Sequence, residues 1–431
     1  MIDLAAQVRV SRRSKWDNSF GAMVWFVLLG GIALSPLADF LSVYALKGQA
    51  GGDMGARYSL FVRGVMVFGL VTALSFRGRV RLSSLCIGLL AVAAVAMSCA
   101  SLAFDGMTSG EFVEEVIAIA KVFSLFVYVA AFSELKDGQL ERVEALIRMT
   151  LFVYAIAILV GAAFSIDIFR SYRGDTQIRA GYKGIIYAQN EASALLLSAL
   201  ALVYLHVARS GWRATHVGLV VTLFTAAFLL GTKGALVAGF GVIAAYSYAR
   251  YGVIKASVRL GSVIAVMSAV AIAVYFFVPT IRQAVDLSIQ YFSYQGDRAG
   301  SERVATVLMS GRNVKFSNVW DELVRRDFLP LLIGGYPTVR YPVEMDGPDL
   351  TLIMGIPVSC LYLRALFRLY AQPGKGRITN YGKYFFILLI FIACTAGHVL
   401  TSAIVAPYLA VISELVRRWS QEERRKIESG Q

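Results

Sequence analysis

The chain has 431 residues, 57% of them hydrophobic and 16% charged, with a mean hydropathy of +0.64 and a formal net charge of +14. Soluble domains hold about 45–50% apolar residues, so this composition specifies a polytopic membrane protein and leaves little chain for a large soluble domain. The basic balance does not argue for nucleic acid, because the cations follow a membrane topology.

The apolar runs follow in chain order. Phe20–Leu46 is too long for a signal peptide and lacks a convincing cleavage site, so it reads as the first span. Tyr58–Phe76, Leu82–Phe104, Phe112–Phe132, Met149–Phe164, Ile185–Val207, His216–Leu230, Ala235–Ala249 and Leu260–Val278 continue the series. Leu350–Leu366, Tyr384–Gly397 and Val399–Val416 complete it. A helix crosses a bilayer core of about 30 Å with roughly 20 residues, so the pairs within Ala214–Ala249 and Tyr384–Val416 are tight. Short, tilted or re-entrant helices meet that constraint where protein shields the backbone. The expected class is all-α, a polytopic membrane protein with about 12 transmembrane helices in one membrane domain over residues 1–431. Residues 279–349 form a large, partly helical outer loop between spans 9 and 10, with expected helices at Ile281–Tyr294 and Asn318–Val324 and a packed Trp320.

Twelve spans put both termini on one side. Assigning that side to the cytoplasm places the excess positive charge there and leaves the remainder near neutral, as the positive-inside rule expects. The four cysteines, Cys86, Cys99, Cys360 and Cys394, sit in apolar runs without a CxxC pair. They imply neither zinc nor a disulfide framework and read as small core residues.

Ionisable residues that interrupt this plan are the functional candidates. Asp39, Arg63, Glu114, Glu115 and Lys121 fall in or near the first, second and fourth spans; charges at such depth need a partner or a cavity. The outer loop Ser165–Ile185 carries Arg170, Arg173, Arg179 and Lys183, against the positive-inside tendency. In "LLGTKGALVAGF" Lys233 is the only full charge from Ala214 to Ala249, at an outer turn between Gly231 and Gly234. In "MSGRNVKFSNVW" Arg312 and Lys315 precede a helix, and a planar guanidinium suits phosphate oxygens. Glu344, Asp346 and Asp349 cluster before the tenth span. Asp349 reads as a helix cap, and Glu344 or Asp346 as a candidate general base. No cluster has the spacing of a divalent-metal site, and no cofactor is expected.

Several of these stretches resemble the O-antigen ligase and polymerase superfamily of bacterial membrane glycosyltransferases. The matching pieces are "RAGYKGIIYAQNEASALLL", "LLGTKGALVAGF", "SGRNVKFSNVWDEL", the "GGYP" turn and the acidic stretch running into "TLIMGIPVSCLYL". The resemblance implies a metal-independent, class-C-like multi-span glycosyltransferase of the inner membrane with a periplasmic active site. Its partners would be an undecaprenyl-diphosphate-linked oligosaccharide, the lipid bilayer and a chain-length regulator, with no nucleic acid. Ligases of the family carry a histidine near the end of the long loop, where this chain reads "YPVEMDGPDL". That departure favours a polymerase of O-antigen or exopolysaccharide repeats over transfer of glycan to lipid A core. A flippase of lipid-linked oligosaccharide is the alternative from another class. On the polymerase reading Arg312, Lys233, Lys183, Arg179 and Arg63 hold the diphosphate, and Glu344 or Asp346 takes the acceptor proton.

Overall fold

The computed structural model describes residues 2–45, 57–76, 82–104, 107–171, 181–277 and 309–429, with residues 282, 286 and 306. Arg179 and most of the expected helix at Ile281–Tyr294 lie outside the described residues. In chain order the helices are α1 Ile2–Ala45, α2 Tyr58–Phe76, α3 Leu82–Phe104, α4 Ser109–Ser133, α5 Asp137–Ala163, α6 Gln189–Ser210 and α7 Ala214–Leu230. They continue as α8 Lys233–Tyr251, α9 Val253–Phe277, α10 Arg312–Arg325, α11 Leu329–Ile333, α12 Asp346–Tyr370, α13 Arg377–Thr395 and α14 Ala406–Glu428. No strand occurs among the described residues; Arg170 and Tyr182 form one isolated antiparallel bridge.

Among the described residues seven helices are long and apolar enough to cross a membrane: α1 from Phe20, α2, α4, α5, α6, α12 and α13. The fold is thus an all-helical, multi-pass membrane architecture. The central helix is α6, whose most apolar stretch is 89% buried, whereas those of α1 and α2 are only 22% buried. Around α6 lie α7, α8, α13 and α14, and α14 also packs along α4. The exposed faces of the rim helices are themselves apolar, with Phe61, Phe68 and Phe276 among their exposed side chains. Apolar atoms on both faces of a helix are what a bilayer solvent permits.

Four expectations need correction here. Arg312 and Lys315 do not precede their helix but lie inside it, since α10 begins at Arg312 and not at Asn318. All four cysteines are exposed and free, not core residues. Trp320 is 44% exposed, with its ring against those of Phe316 and Phe328; Val319 and Leu323 carry α10 into a small core with Tyr336, Val343, Met345 and Leu352. The last expected span, Val399–Val416, is not one helix. Residues 398–405 are irregular, and α14 starts at Ala406 and runs to Glu428. The buried part of α14 ends at Ser420, and its second half is an amphipathic, charge-rich helix.

The break in α12 follows from the sequence. Pro357 has no N–H, so the carbonyl of Ile353 loses its helical donor. Gly355 adopts φ +72°, ψ 160°, which interrupts the helix two residues earlier. The glycine turn after α11 fills the gap: Gly335 N donates to Ile353 O at 2.9 Å and Tyr336 N to Leu352 O at 3.1 Å. Gly334 (φ +81°) packs directly against the Ile353–Gly355 backbone, where a Cβ would lie 2.5–2.7 Å from main-chain atoms. The "GGYP" turn is therefore a backbone patch that satisfies groups a buried helix break would otherwise orphan.

A second device holds the same loop. Arg340 grips Glu111 in a fork, Nε to Oε1 at 2.9 Å and Nη2 to Oε2 at 2.6 Å, and the carboxylate pushes the guanidinium above its ordinary range. One turn on, Glu115 accepts from Thr338 Oγ1 and Val339 N, both at 3.3 Å. Glu111 also closes a capping box with Thr108 at the start of α4. Two acids four residues apart on one helical face thus dock Thr338–Arg340 onto α4.

Candidate functional site

The first residue of α12, Asp346, is 2% exposed and organises one end of the bundle. Its Oδ1 accepts from His398 N at 2.6 Å and Thr401 Oγ1 at 2.7 Å; its Oδ2 accepts from Val399 N at 2.6 Å and Leu400 N at 2.7 Å. A carboxylate offers about four lone-pair positions, and all four are filled. This is why residues 398–401 can leave the helical path at the end of α13 without stranding buried N–H groups. It also leaves Asp346 no open acceptor position for a substrate hydroxyl. Asp349 accepts from Val343 N at 2.9 Å and so ties the chain before α12 to its first turn rather than capping the helix, whose N-cap Met345 makes no side-chain cap bond.

Glu344, two residues before Asp346, has φ +64°. That conformation is costly for a residue with a Cβ, and it turns the Glu344 carbonyl against Gly397. A Cβ at Gly397, itself at φ +67°, would overlap that oxygen. The Glu344 side chain points outward to Lys315, with Nζ to Oε1 at 2.5 Å and both groups about two-fifths exposed.

Four stretches meet around the turn that Asp346 holds. Arg312 opens α10 and sends Nη1 to Thr395 O at 3.4 Å, at the C-terminal end of α13. On the α8 side Gly234 faces Ala396, with the Gly234 Cβ position 3.4 Å from the alanine Cβ. Lys233, exposed, is the first residue of α8, after the cap formed by Thr232. Thr232 Oγ1 lies 2.8 Å from Ser193 Oγ on α6, and two residues earlier Glu191 accepts from Ser402 Oγ at 2.8 Å. Finally the 181–184 segment threads beside the end of α7. Tyr182 N donates to Leu229 O at 2.9 Å, and a Cβ at Gly181 would meet Leu230 O at 2.5 Å. Lys183 follows in that segment, 8% exposed, with Nζ donating to Tyr187 O and set 5.6 Å from the Tyr187 ring centre.

The electrostatics of this end are uneven. Helix N-termini carry partial positive charge and favour acids. The first turns of α4, α6 and α12 obey, with Glu111, Glu191 and Asp346. The first turns of α8 and α10 contain no acid and begin with Lys233 and Arg312. Both helices therefore start with a cation at their positive end, and both start beside Thr395–Ala396.

Arg63 stands apart from this grouping. It is 2% exposed on α2 and makes a fork with Asp39 of α1, Nη1 to Oδ1 at 2.8 Å and Nη2 to Oδ2 at 2.7 Å. Ser59 supplies its carbonyl and hydroxyl to the same guanidinium, and the Tyr154 hydroxyl donates to Asp39. The group is a buried bolt between α1, α2 and α5. Glu114 pairs with Arg57 at 3.2 Å. Among the described residues no group of three His, Cys, Asp or Glu is placed to hold a metal. Sequence reading passed over Glu191, Thr395 and Ser402, whose roles depend on partners more than 80 residues away and leave no local signature. A cleft of about 450 Å³ opens at the opposite, basic end of the bundle.

No protein-family model matches the chain, and no curated protein sequence matches it.

Proposed function

We propose that the chain is a membrane glycosyltransferase that polymerises lipid-diphosphate-linked glycan, with α1–α9 and α12–α14 as twelve crossings and the α12 N-terminal end as its periplasmic active face. The observation that carries the reading is the meeting of Lys233 and Arg312, each at the positive end of a helix, on either side of Thr395–Ala396. Such an arrangement concentrates positive potential and suits a diphosphate leaving group, on which charge builds as the glycosidic bond breaks. Three stretches that carry the family resemblance converge there: 181–197, 229–240 and 310–323.

The step balances as a displacement. The acceptor hydroxyl oxygen bonds to the anomeric carbon as the bond from that carbon to the phosphate oxygen breaks. The electron pair leaves with the lipid diphosphate, and a base takes the hydroxyl proton. Glu344 is the candidate base, because its carboxylate is accessible beside Lys315, whereas Asp346 is fully occupied. Arg312 and Lys233 hold the diphosphate, and Lys183 sets the loop beside them. Arg63 acts from the bolt, at a distance from the phosphates. The resemblance, and the departure at "YPVEMDGPDL", favour a polymerase over a ligase or a flippase.

The test is the product of a strain in which the chain is replaced by Arg312→Ala. Accumulated lipid-linked single repeats with no polymer, at normal protein level, agree with the proposal. Near-normal chain length refutes the clamp. Unlinked full-length polymer in the deletion strain identifies a ligase, and glycan movement across vesicles without a change in chain length identifies a flippase.

A further inference from the structure

The cleft at the basic end lies between the C-terminus of α6, the N-terminus of α13 and the amphipathic half of α14, and has a volume of about 450 Å³. Its walls carry Arg209, Arg377 and Lys426 against Glu422 and Glu423, with Trp419 as an aromatic wall. The two acids are already engaged. Glu422 pairs with Arg209 at 3.0 Å. Glu423 accepts from Arg377 N at 2.7 Å and Ile378 N at 3.2 Å, capping α13. The Arg209 guanidinium lies over the Trp419 ring, 4.3 Å from its centre. Arg377 sends Nη1 only to the Ala208 carbonyl at 3.5 Å, a weak contact, and among the described residues neither Arg377 nor Lys426 forms a salt bridge. Two cations without carboxylate partners thus share a cleft whose acids are spent elsewhere.

The position of the cleft narrows the ligand. It lies at the end of a bundle of membrane-length helices, where chain emerges from the apolar core. Tyr204, Trp212 and Tyr246 stand at the same end, with ring centres 5.3–6.3 Å apart. Such aromatic groups mark the headgroup level of a bilayer, and basic pockets between helix ends at that level take lipid phosphates. The volume falls in the range of small-ligand sites, roughly 300–1,000 Å³, enough for a phosphate with its glycerol. We propose that this cleft binds the phosphate of an anionic phospholipid headgroup, with Arg377 and Lys426 as its counter-charges and the Arg209–Trp419 stack as its wall. The inference is independent of the glycosyltransfer reading.

The test uses the full chain, purified in detergent and stripped of lipid, with binding read by native mass spectrometry. The probes are short-chain phosphatidylglycerol, short-chain phosphatidylcholine and inorganic phosphate. Phosphatidylglycerol is expected to bind in preference to phosphatidylcholine. Each cation near a lipid phosphate contributes about fivefold, so Arg377→Ala with Lys426→Ala weakens phosphatidylglycerol by about 25-fold. Arg425→Ala, an exposed cation of the same helix outside the cleft, leaves it unchanged. Should the double variant fail to fold, Lys426→Glu at its exposed position is expected to weaken binding at least fivefold. Equal binding of the two lipids, or unchanged affinity in both Lys426 variants, overturns the proposal. Inorganic phosphate binding as tightly as phosphatidylglycerol overturns the lipid assignment and makes the cleft a free-phosphate site.

Discussion

Replacing Asp346 by alanine removes the acceptor of three main-chain N–H groups and one hydroxyl at once. The bonds are short, 2.6–2.7 Å, and end on a carboxylate that is 2% exposed. Hydrogen bonds to a charged group contribute about 1.5–3 kcal/mol each, and a buried donor left unpaired costs about 1–3 kcal/mol. The bonds share one acceptor and do not add fully. A loss of about 3–5 kcal/mol for local order of the turn is the reasonable magnitude. The assay is amide hydrogen exchange on a peptide spanning 397–402. In the native chain the amides of His398, Val399 and Leu400 are expected to be protected. In Asp346→Ala their exchange accelerates by at least about 100-fold, while the amides of α6 keep their rates. Asp346→Asn, which retains one acceptor oxygen and sets an NH2 against two donors, falls between the two. Unchanged exchange at 398–400 would show that the turn holds without the carboxylate, and the account of this end of the bundle fails.

Gly397→Ala meets the Glu344 carbonyl and a positive φ together, so it is expected to lower thermal stability by about 2 kcal/mol or more; a melting curve matching wild type contradicts the close approach. Arg63→Met leaves Asp39 buried without its cation, which costs about 3–5 kcal/mol. Arg63→Met combined with Asp39→Leu is expected to recover most of that loss in the same unfolding assay, and failure to recover indicates a role beyond bolting α1 to α2. Glu344→Gln is expected to stop polymer formation while binding of the lipid-linked donor persists; full activity removes Glu344 as the base.

Much of the helical layout is legible in the hydropathy, because a crossing helix must be apolar along its length whatever its neighbours are. Burial is less legible. In a bilayer an apolar residue can face protein or lipid, and Cys86, Cys99, Cys360 and Cys394 carry no mark that they face outward. The end of α13 eluded the sequence for a different reason. The run from Val399 to Val416 carries one charge, Glu414, and Pro407 marks where its helix begins; the turn before it is held by the carboxylate of Asp346, some fifty residues earlier. The same non-local bonding decides the roles of the acids. Glu344 and Asp346 are two residues apart and look alike in sequence, yet one faces Lys315 at the surface and the other is enclosed by main chain. Arg63 likewise reads as an unexplained membrane cation until Asp39 is seen opposite it. The break of α12, by contrast, is foreshadowed by "MGIP", since Pro357 removes a donor that a buried helix must replace.

The central claim is that Arg312 and Lys233 hold a diphosphate beside Thr395–Ala396. The most direct measurement is a structure of the full chain with undecaprenyl diphosphate bound. The account predicts phosphate oxygens within hydrogen-bond distance of both cations, in front of the start of α8 and of α10. A diphosphate seated elsewhere, with these two side chains left in their ligand-free positions, contradicts it.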